Sequence, residues 1–269
     1  MTSACRIAIS ALLLAGGAGC TAGAIDVATI APDSLAAGLV AHWTFDDAAG
    51  ASARDSSGNG RDGTILGAGD WSWTDGRFTG ALQLTGTDQV SVGGFPQPTA
   101  SYSVSAWLNV AVTDIEPPIA AVLSTEIPWG VGPPGGWSLT VDPPAPGPGV
   151  AGNYQFTYWF GQMPTDSVTA ECVCFAFDKW THLAAVIDAT TDTLTFYVDG
   201  RTRQEVPVPR GIWPAAPGPL FMARYPLLGT GPGPVRLLAG AIDDVAIYSR
   251  ALVPEEVAQL SRAPAPDPI

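Results

Sequence analysis

Short alternating runs of apolar and polar residues, separated by turn residues, constrain this chain more than any other feature of its sequence. The clearest pair of runs, Thr193–Val198 and 202–206, flanks Asp199-Gly200. An Asp-Gly pair in this position predicts a β-hairpin, because Gly supplies the positive φ that the tight turn needs. There is no long 3.6-residue period before residue 250 and no fixed-period repeat. The pattern therefore predicts an all-β protein.

The same strand pattern occurs near both ends of the predicted domain. Residues 39–45 alternate between two faces, and residues 240–260 read as a closing strand followed by one short helix. Pro254 fits the first turn of that helix, and Glu255 and Glu256 follow where the helix dipole favours acids. Further strands are predicted at 81–84, 90–92, 102–110, 137–141, 154–159 and 180–188.

Size and composition favour one principal domain. A chain of 269 residues that is 46% hydrophobic can bury a sizeable core. Its 31 glycines and 25 prolines are dense in two segments, 116–152 and 206–234, which are predicted to be long loops at the rim of a sandwich. We assign the domain to residues 38–262 and expect a disordered tail at residues 263–269.

The charge balance excludes one class of partner. The chain has 25 acidic and 12 basic residues, a formal net charge of −13, and its only lysine is Lys179. Phosphate binding needs a clustered basic face. We therefore expect no nucleic-acid partner.

The first residues have the composition of an export signal. Arg6 precedes an apolar run at 7–15, which is too short to span a bilayer as a helix, and small residues precede Cys20. The segment resembles bacterial lipoprotein signals, which implies removal of residues 1–19 and lipidation of Cys20, with residues 20–37 as a flexible tether. We expect an extracytoplasmic lipoprotein that contacts the membrane through its lipid anchor only. A secreted or periplasmic protein is the alternative.

Two cysteines of the predicted domain, Cys172 and Cys174, form a C-x-C pair. Alternate residues of a strand have Cα atoms about 6.5–7 Å apart, at the edge of disulfide geometry, so a bridge needs a local bend. An oxidising compartment favours the disulfide, and a pair of small buried thiols is the alternative.

Seven segments, in a fixed order, carry a resemblance to a known family. They resemble the laminin-G-like, concanavalin A-like jelly-roll domains of bacterial surface proteins, and the match covers most of residues 38–262. The resemblance implies a two-sheet antiparallel jelly-roll sandwich with a short C-terminal helix. This fold hosts lectins, glycosidases and adhesion modules, so it does not by itself give a function. The segments are GLVAHWTFDD, DSSGNGRDGT, FTGALQLTGTDQVSV, SYSVSAWLNV, KWTHLAAVID, LTFYVDGR and GAIDDVAIYSRALVPEEVAQL.

The resemblance also implies a calcium hypothesis. In the family topology the strand at 39–45 lies beside the closing strand, so acids from both chain ends can meet. Asp243 matches a position where related sandwiches place a calcium carboxylate, and the loop 55–62 contains oxygen ligands of the kind that Ca²⁺ prefers. The alternative is that the loop residues cap a tight turn and that Asp243 bonds the backbone at a sheet edge. The candidate Ca²⁺ ligands are Asp55, Asn59, Asp243 and Asp46.

The sequence contains no catalytic motif that we recognise. The E-x-D-x-x-E pattern of retaining glycosidases on this sandwich and the G-x-S-x-G nucleophile elbow are both absent. The two histidines, His42 and His182, lie in strand patterns, where a packed or hydrogen-bonded role is expected. The chain is therefore predicted not to be an enzyme.

Aromatic residues supply the remaining binding chemistry, because an indole or phenol ring can pack against the C–H face of a sugar. Trp71 and Trp73 precede a segment where the family favours an aromatic residue, so packing is expected of them. Aromatic residues in or beside the two long loops are better candidates, with covering of the sheet as the alternative role. The candidate ligand-binding residues are Trp129, Trp159, Trp213 and Tyr158.

These features predict a non-catalytic extracytoplasmic module, carbohydrate-binding, on a membrane-anchored lipoprotein. The first alternative is a structural or adhesion lipoprotein that binds another surface protein. The second is a divergent glycoside hydrolase. The expected partner is therefore a glycan or a surface protein.

Overall fold

Two antiparallel β-sheets enclose a common hydrophobic core in this protein. The structure, a computed structural model, describes residues 32–97, 100–111, 120–125, 136–142, 152–160, 166–210, 218–225 and 236–263. The predicted features at Cys20, Trp129 and Trp213 lie outside these residues, as do the signal segment and residues 264–269 of the tail.

The described residues form eighteen strands, a short 3₁₀ helix (Pro32–Ala36) and one α-helix, α1 (Pro254–Leu260). Within the described ranges, no helix has the length and apolar composition needed to cross a membrane. In chain order the strands are β1 (Leu39–Trp43), β2 (Ser52–Ala53), β3 (Gly63–Gly67), β4 (Ser72–Asp75), β5 (Gly80–Thr85), β6 (Asp88–Phe95), β7 (Tyr102–Val110), β8 (Ala120–Thr125), β9 (Gly136–Asp142), β10 (Asn153–Trp159), β11 (Ser167–Cys172), β12 (Thr181–Asp188), β13 (Thr193–Val198), β14 (Arg201–Pro207), β15 (Gly218–Met222), β16 (Arg224–Tyr225), β17 (Arg236–Leu237) and β18 (Ala239–Tyr248).

The strand order brings the two chain ends together. The first sheet runs β14-β13-β12-β7-β18-β5-β4, and β1 also pairs with β18; the second runs β11-β10-β9-β8-β15-β6-β3-β2, while β16 and β17 form a separate pair. Strand β18 is long enough to pair antiparallel with β5 through residues 239–242 and with β1 through residues 245–248. The predicted two-sheet antiparallel sandwich with a short C-terminal helix is confirmed.

The predicted Asp-Gly hairpin is also confirmed. Strands β13 and β14 pair antiparallel on either side of Asp199-Gly200, whose φ angles are 51° and 70°. A Cβ on Gly200 would lie 2.3 Å from the side-chain oxygen of Ser261, just after α1. Glycine is therefore required here both by the turn geometry and by the close approach of the helix end.

The C-terminal helix covers the outer face of the first sheet. Val257 and Leu260 pack with Leu35 and Tyr248 in a second apolar cluster, separate from the main core between the sheets. Arg250 fixes this arrangement, because its guanidinium donates to both carboxylate oxygens of Glu256 at 2.7 and 2.8 Å and to the Ser34 and Ala37 carbonyls at 2.6 and 2.7 Å. The start of the domain is thus bonded to its end.

The two Pro/Gly-rich segments, predicted to be long loops, also contain strands. Strand β9, predicted at 137–141, and strand β8, which was not predicted, lie inside 116–152, and β15 lies inside 206–234. All six residues of β8 are buried, and its sequence AAVLST has four apolar residues in a row rather than alternation. Strands that are buried on both faces lack the two-residue period on which the sequence prediction depended.

Candidate functional site

An open groove at one edge of the first sheet is the main candidate site. It has a volume of about 750 Å³. Its walls come from the segment after β1, from the edge strand β4 and from the turn between β4 and β5. We call it the Trp73 groove, and its lining residues are Phe45, Asp46, Ala48, Trp73, Thr74, Asp75, Thr79 and Gly80.

The β4–β5 turn that forms one wall is held from inside the sheet. The turn is closed by a hydrogen bond from Gly76 N to Thr79 O at 2.8 Å. Asp243, on β18, accepts hydrogen bonds from Arg77 N at 2.7 Å and Phe78 N at 3.3 Å through Oδ2. A Cβ on Gly76 would lie 2.7 Å from that oxygen, so glycine allows the carboxylate to reach the turn.

The segment after β1 closes against the same turn. Phe45 and Ala48 both have positive φ, 55° and 57°, which redirects the chain while the Phe45 side chain stays buried in the core. Asp46 Oδ1 accepts a hydrogen bond from Gly80 N. A Cβ on Gly80 would lie 2.7 Å from Phe45 O and 2.8 Å from Asp46 Oδ1, so this close approach also requires glycine.

Trp73 forms the aromatic part of the groove. It is half-buried, packs against the main core and donates its indole N–H to Gly50 O at 3.2 Å. Trp71 meets it edge to face with ring centroids 6.0 Å apart. The expectation that both tryptophans pack is therefore met, and Trp73 in addition lines the groove.

The chemistry of the groove suits a sugar. It combines an indole ring with the Asp46 and Asp75 carboxylates and the Thr74 and Thr79 hydroxyls, all four of these polar residues being exposed. A pyranose or furanose ring offers C–H faces to an aromatic ring and hydroxyl donors to carboxylates. No basic residue appears among the described residues of the lining.

The candidate calcium ligand Asp55 is committed to the backbone of its own loop. Its Oδ1 accepts hydrogen bonds from His42 N and Ser57 N, both at 3.0 Å, and its Oδ2 accepts one from Arg61 N at 2.9 Å. Burial raises the pKa of Asp55, but the hydrogen bonds from Ser57, His42 and Arg61 outweigh this and hold the pKa below its usual value. The carboxylate therefore acts as a cap that fixes the loop to β1.

Asn59 plays a similar part. Its amide nitrogen donates to Leu39 O at 3.1 Å, to Val40 O at 3.0 Å and to the Ser57 hydroxyl at 3.1 Å. The loop pair therefore has the contacts of the capping alternative, since both side chains bond backbone and loop atoms.

The four candidate calcium ligands contact two different parts of the structure. Asp46 and Asp243 contact the β4–β5 turn, whereas Asp55 and Asn59 bond β1 and their own loop. In the described part of the chain, no group of three or more His, Cys, Asp or Glu side chains could hold a metal ion. Ca²⁺ takes six to eight oxygen ligands. Calcium binding by the four residues together therefore stays a prediction.

Asp243 is a buried carboxyl beside a second acid. Burial and then the charge of Asp244 raise its pKa, and the backbone hydrogen bonds from Arg77 and Phe78 oppose them, so that the pKa of Asp243 is raised to about 7. Asp244 has a positive φ of 46° at an irregularity of β18, and its Oδ1 lies 2.8 Å from Nε2 of the fully buried His42. Asp243 thus bonds the backbone, as the alternative to a calcium ligand had it.

His182 is buried in the first sheet. Its Nε2 lies 2.8 Å from Ser105 Oγ and its ring lies 5.4 Å from the Trp107 ring. Burial lowers the pKa of His182 to about 3, although Asp199 opposes the shift. With no exposed surface, the imidazole has the packed, hydrogen-bonded environment that its strand pattern predicted.

Two of the predicted sugar-binding aromatics are not surface residues. Tyr158 is 1% exposed and belongs to the main core, and Trp159 is 7% exposed at the end of β10. Neither presents a ring for binding, so the alternative role of covering the sheet holds for this pair.

Cys172 and Cys174 are joined by a disulfide. Their Cα atoms are 5.3 Å apart, closer than a strand allows, because β11 ends at Cys172 and Cys174 N donates back to Cys172 O at 2.9 Å. The local bend that a bridge needs is therefore present.

Sequence reasoning missed the Trp73 groove as a binding site. The signal was present in the run WSWTD, since Trp73 and Asp75 are two residues apart in a strand and share a face. Asp46 could not be added in this way, because it lies 34 residues before Gly80, its hydrogen-bond partner.

A family model matches residues 84–258 of this chain. The model is Laminin_G_3, described as the concanavalin A-like lectin/glucanases superfamily. The matched segment begins in β5 and ends within α1. None of the curated proteins matched the chain.

Solved structures with the same fold include sugar-bound domains. Domain 4 of AbnA, a GH43 extracellular arabinanase from Geobacillus stearothermophilus, in complex with arabinotriose, is 21% identical, with a TM-score of 0.59 over 84% of this chain and 99% of that chain. The botulinum neurotoxin serotype D ligand-binding domain in complex with N-acetylneuraminic acid is 12% identical, with a TM-score of 0.61 over 86% of this chain and 52% of that chain. At these identities the likeness shows the fold alone, and this chain spans about half the length of the neurotoxin domain.

Proposed function

Because this chain belongs to the Laminin_G_3 family of the concanavalin A-like lectin/glucanases superfamily, we propose that it is a non-catalytic carbohydrate-binding module. The sugar site in this proposal is the Trp73 groove. The observation that carries the proposal is the half-buried indole of Trp73 beside two exposed carboxylates in one open groove.

The rigidity of the groove supports this assignment. Its turn is bonded to Asp243 from below and to Asp46 from the side, so the walls are set before a ligand arrives. A preformed site loses less conformational entropy on binding than a mobile one. Weak contacts to sugar hydroxyls can then contribute to affinity.

The two histidines are not placed to act as general bases in the groove. His42 and His182 are fully buried. A general base needs to reach a substrate proton, directly or through one water. Neither imidazole lines the Trp73 groove.

The sugar complexes of structural relatives are consistent with this role. The arabinanase domain was solved with arabinotriose and the neurotoxin domain with N-acetylneuraminic acid. The two ligands differ in charge and size, so the relatives support glycan binding as a class and leave the identity of the glycan to experiment.

A Trp73→Ala variant is expected to bind glycans at least about 30-fold more weakly than the natural protein, because truncating a central tryptophan commonly costs about 2 kcal/mol or more. The measurement is a glycan array followed by calorimetric titration of the strongest ligand. Trp180→Ala is the matched control, since it removes another partly buried indole that does not line the groove. Its affinity should stay within about threefold of the natural value.

Two results would contradict the proposal. One is an array without any ligand at neutral pH, with and without calcium. The other is a ligand whose affinity is unaffected by Trp73→Ala. Co-purification of a stoichiometric protein partner, unaffected by competing sugars, would instead favour the adhesion alternative.

The proposal also places the module outside the cytoplasm, attached by lipid at Cys20. This part rests on the sequence of residues 1–20 alone. A Cys20→Ser variant is expected to lose incorporation of labelled fatty acid and to leave the membrane fraction, because two acyl chains are needed for stable anchoring. If the natural protein incorporated no labelled fatty acid, the lipid anchor would be excluded, and secretion without an anchor would remain as the alternative.

A further inference from the structure

We propose that the Trp73 groove selects glycans without acid groups, so that neutral and amino sugars bind and uronic or sialic acids are rejected. The inference rests on the proposed function, because it concerns the ligand of the same groove. It names the class of sugar that the charges of the lining permit.

The charged groups of the lining are both carboxylates. Asp46 and Asp75 are exposed, and they enter from different segments, one after β1 and one at the end of β4. Asp46 retains a hydrogen bond from Gly80 N. The Asp75 carboxylate has no hydrogen-bond or ion-pair partner among the residues that the structure describes, so it is available to a ligand.

Two arginines in neighbouring segments do not line the groove. Arg54 lies beside Asp47, with its Nε 3.9 Å from a carboxylate oxygen, and is 81% exposed. The Arg77 guanidinium lies over the rings of Phe78 and Trp107, 5.1 and 4.7 Å from their centroids. Neither residue lines the groove, so the described lining contains no cation that pairs with an acidic sugar.

Coulomb's law gives the size of the selection. A ligand carboxylate about 6 Å from one aspartate loses roughly threefold in affinity in a water-like dielectric, and roughly tenfold against two aspartates. The factor grows in the lower effective dielectric of a groove wall and shrinks as salt rises. The formal net charge of −13 acts in the same direction at longer range.

The test uses sugar pairs that differ in charge. One pair is a methyl-esterified and a de-esterified oligogalacturonide of equal length. The other is a deacetylated and an N-acetylated chito-oligosaccharide. Within each pair that binds, the more positive member is expected to bind about tenfold or more tightly at low ionic strength, and the ratio is expected to fall with added salt.

An Asp46→Asn/Asp75→Asn double variant shows whether the two carboxylates cause the selection. Asparagine keeps an acceptor oxygen for Gly80 N while removing the charge. The charge preference of the double variant is expected to fall to about threefold or less. Asp70→Asn is the matched control, because Asp70 is exposed and does not line the groove, and its charge preference should be unchanged.

The outcomes separate the inference from the function on which it rests. Equal or tighter binding of the acidic member, lost in Trp73→Ala, overturns the inference and leaves the glycan-binding function in place. A charge preference that persists in the double variant also overturns the inference. No binding by any pair or by the array overturns both.

Discussion

An Asp55→Ala variant is expected to be about 3–5 kcal/mol less stable to unfolding than the natural protein. The change leaves the backbone N–H groups of His42, Ser57 and Arg61 without their acceptor in a site where Asp55 is only 7% exposed. Each buried donor left unsatisfied costs about 1–3 kcal/mol, and partial access of water reduces the sum. Denaturant unfolding followed by tryptophan fluorescence measures the effect.

The same experiment with and without EDTA distinguishes capping from calcium binding. If the carboxylate acts as a cap, the loss of stability is the same in both conditions. Asp55→Asn keeps one acceptor oxygen and should lose about half as much, whereas the exposed Asp70→Ala should change stability by about 0.5 kcal/mol or less. A natural protein that EDTA destabilises to the level of Asp55→Ala would instead show that Asp55 holds a cation.

A His182→Gln variant is expected to remove an acid-sensitive part of the stability. Because the pKa of His182 falls to about 3 in the folded protein, only the unfolded chain takes up this proton between about pH 6.5 and pH 3. The contribution of His182 is therefore full above pH 6.5 and is lost as pH falls, by about 1.4 kcal/mol per unit. Gln can keep the hydrogen bond to Ser105 Oγ without titrating.

The measurement is the difference in unfolding free energy between the natural protein and His182→Gln, from pH 7.5 to pH 5. Asp243 requires this differential design, because its pKa is raised to about 7 and its contribution has the opposite sign. A carboxyl with a raised pKa adds stability at low pH that is lost as pH rises through about 7, so the two residues partly cancel in the natural protein.

The difference in stability should shrink by about 2 kcal/mol on acidification from pH 7.5 to pH 5. An Asp243→Asn variant should be about as stable as the natural protein at pH 7.5. Its unfolding free energy should then fall more steeply towards pH 5 than that of the natural protein. Parallel pH curves for the natural protein and His182→Gln would mean that His182 titrates normally and is not desolvated. The Asp55 pKa, held below its usual value, does not interfere in this range.

The candidate calcium ligands show which side-chain contacts the sequence alone does not predict. Asp46 and Asp243 were selected as neighbours in space, and both contact the β4–β5 turn. For Asp55 the sequence offers no comparable indication of spatial neighbours. A turn rich in Asp, Asn and Gly has the same sequence whether it caps its own backbone or binds a cation. Only the positions of the N–H groups of His42 and Arg61 show what the carboxylate does.

The Trp73 groove also shows what sequence reasoning does not predict. Trp73 is predicted to pack, and it does pack against the main core, yet its side chain stays partly exposed. Burial of a residue on an edge strand depends on what the neighbouring segments leave uncovered. Here the positive φ of Phe45 and Ala48 turns the chain so that Asp46 faces Gly80. The groove that results is not predicted by any local sequence pattern.

The sequence by itself determined ten of the eighteen described strands, the Asp199-Gly200 hairpin, the terminal helix and the family, because these depend on local period, turn chemistry and motif order. The tertiary structure decided which polar residues bond backbone and which face solvent. It also placed Asp46, Trp73 and Asp75 in one groove and removed Tyr158 and Trp159 from the surface. These outcomes depend on contacts between segments that are far apart in the chain. In such contacts a positive φ or a close approach to glycine redirects a side chain, while the alternation of apolar and polar residues in the sequence stays the same.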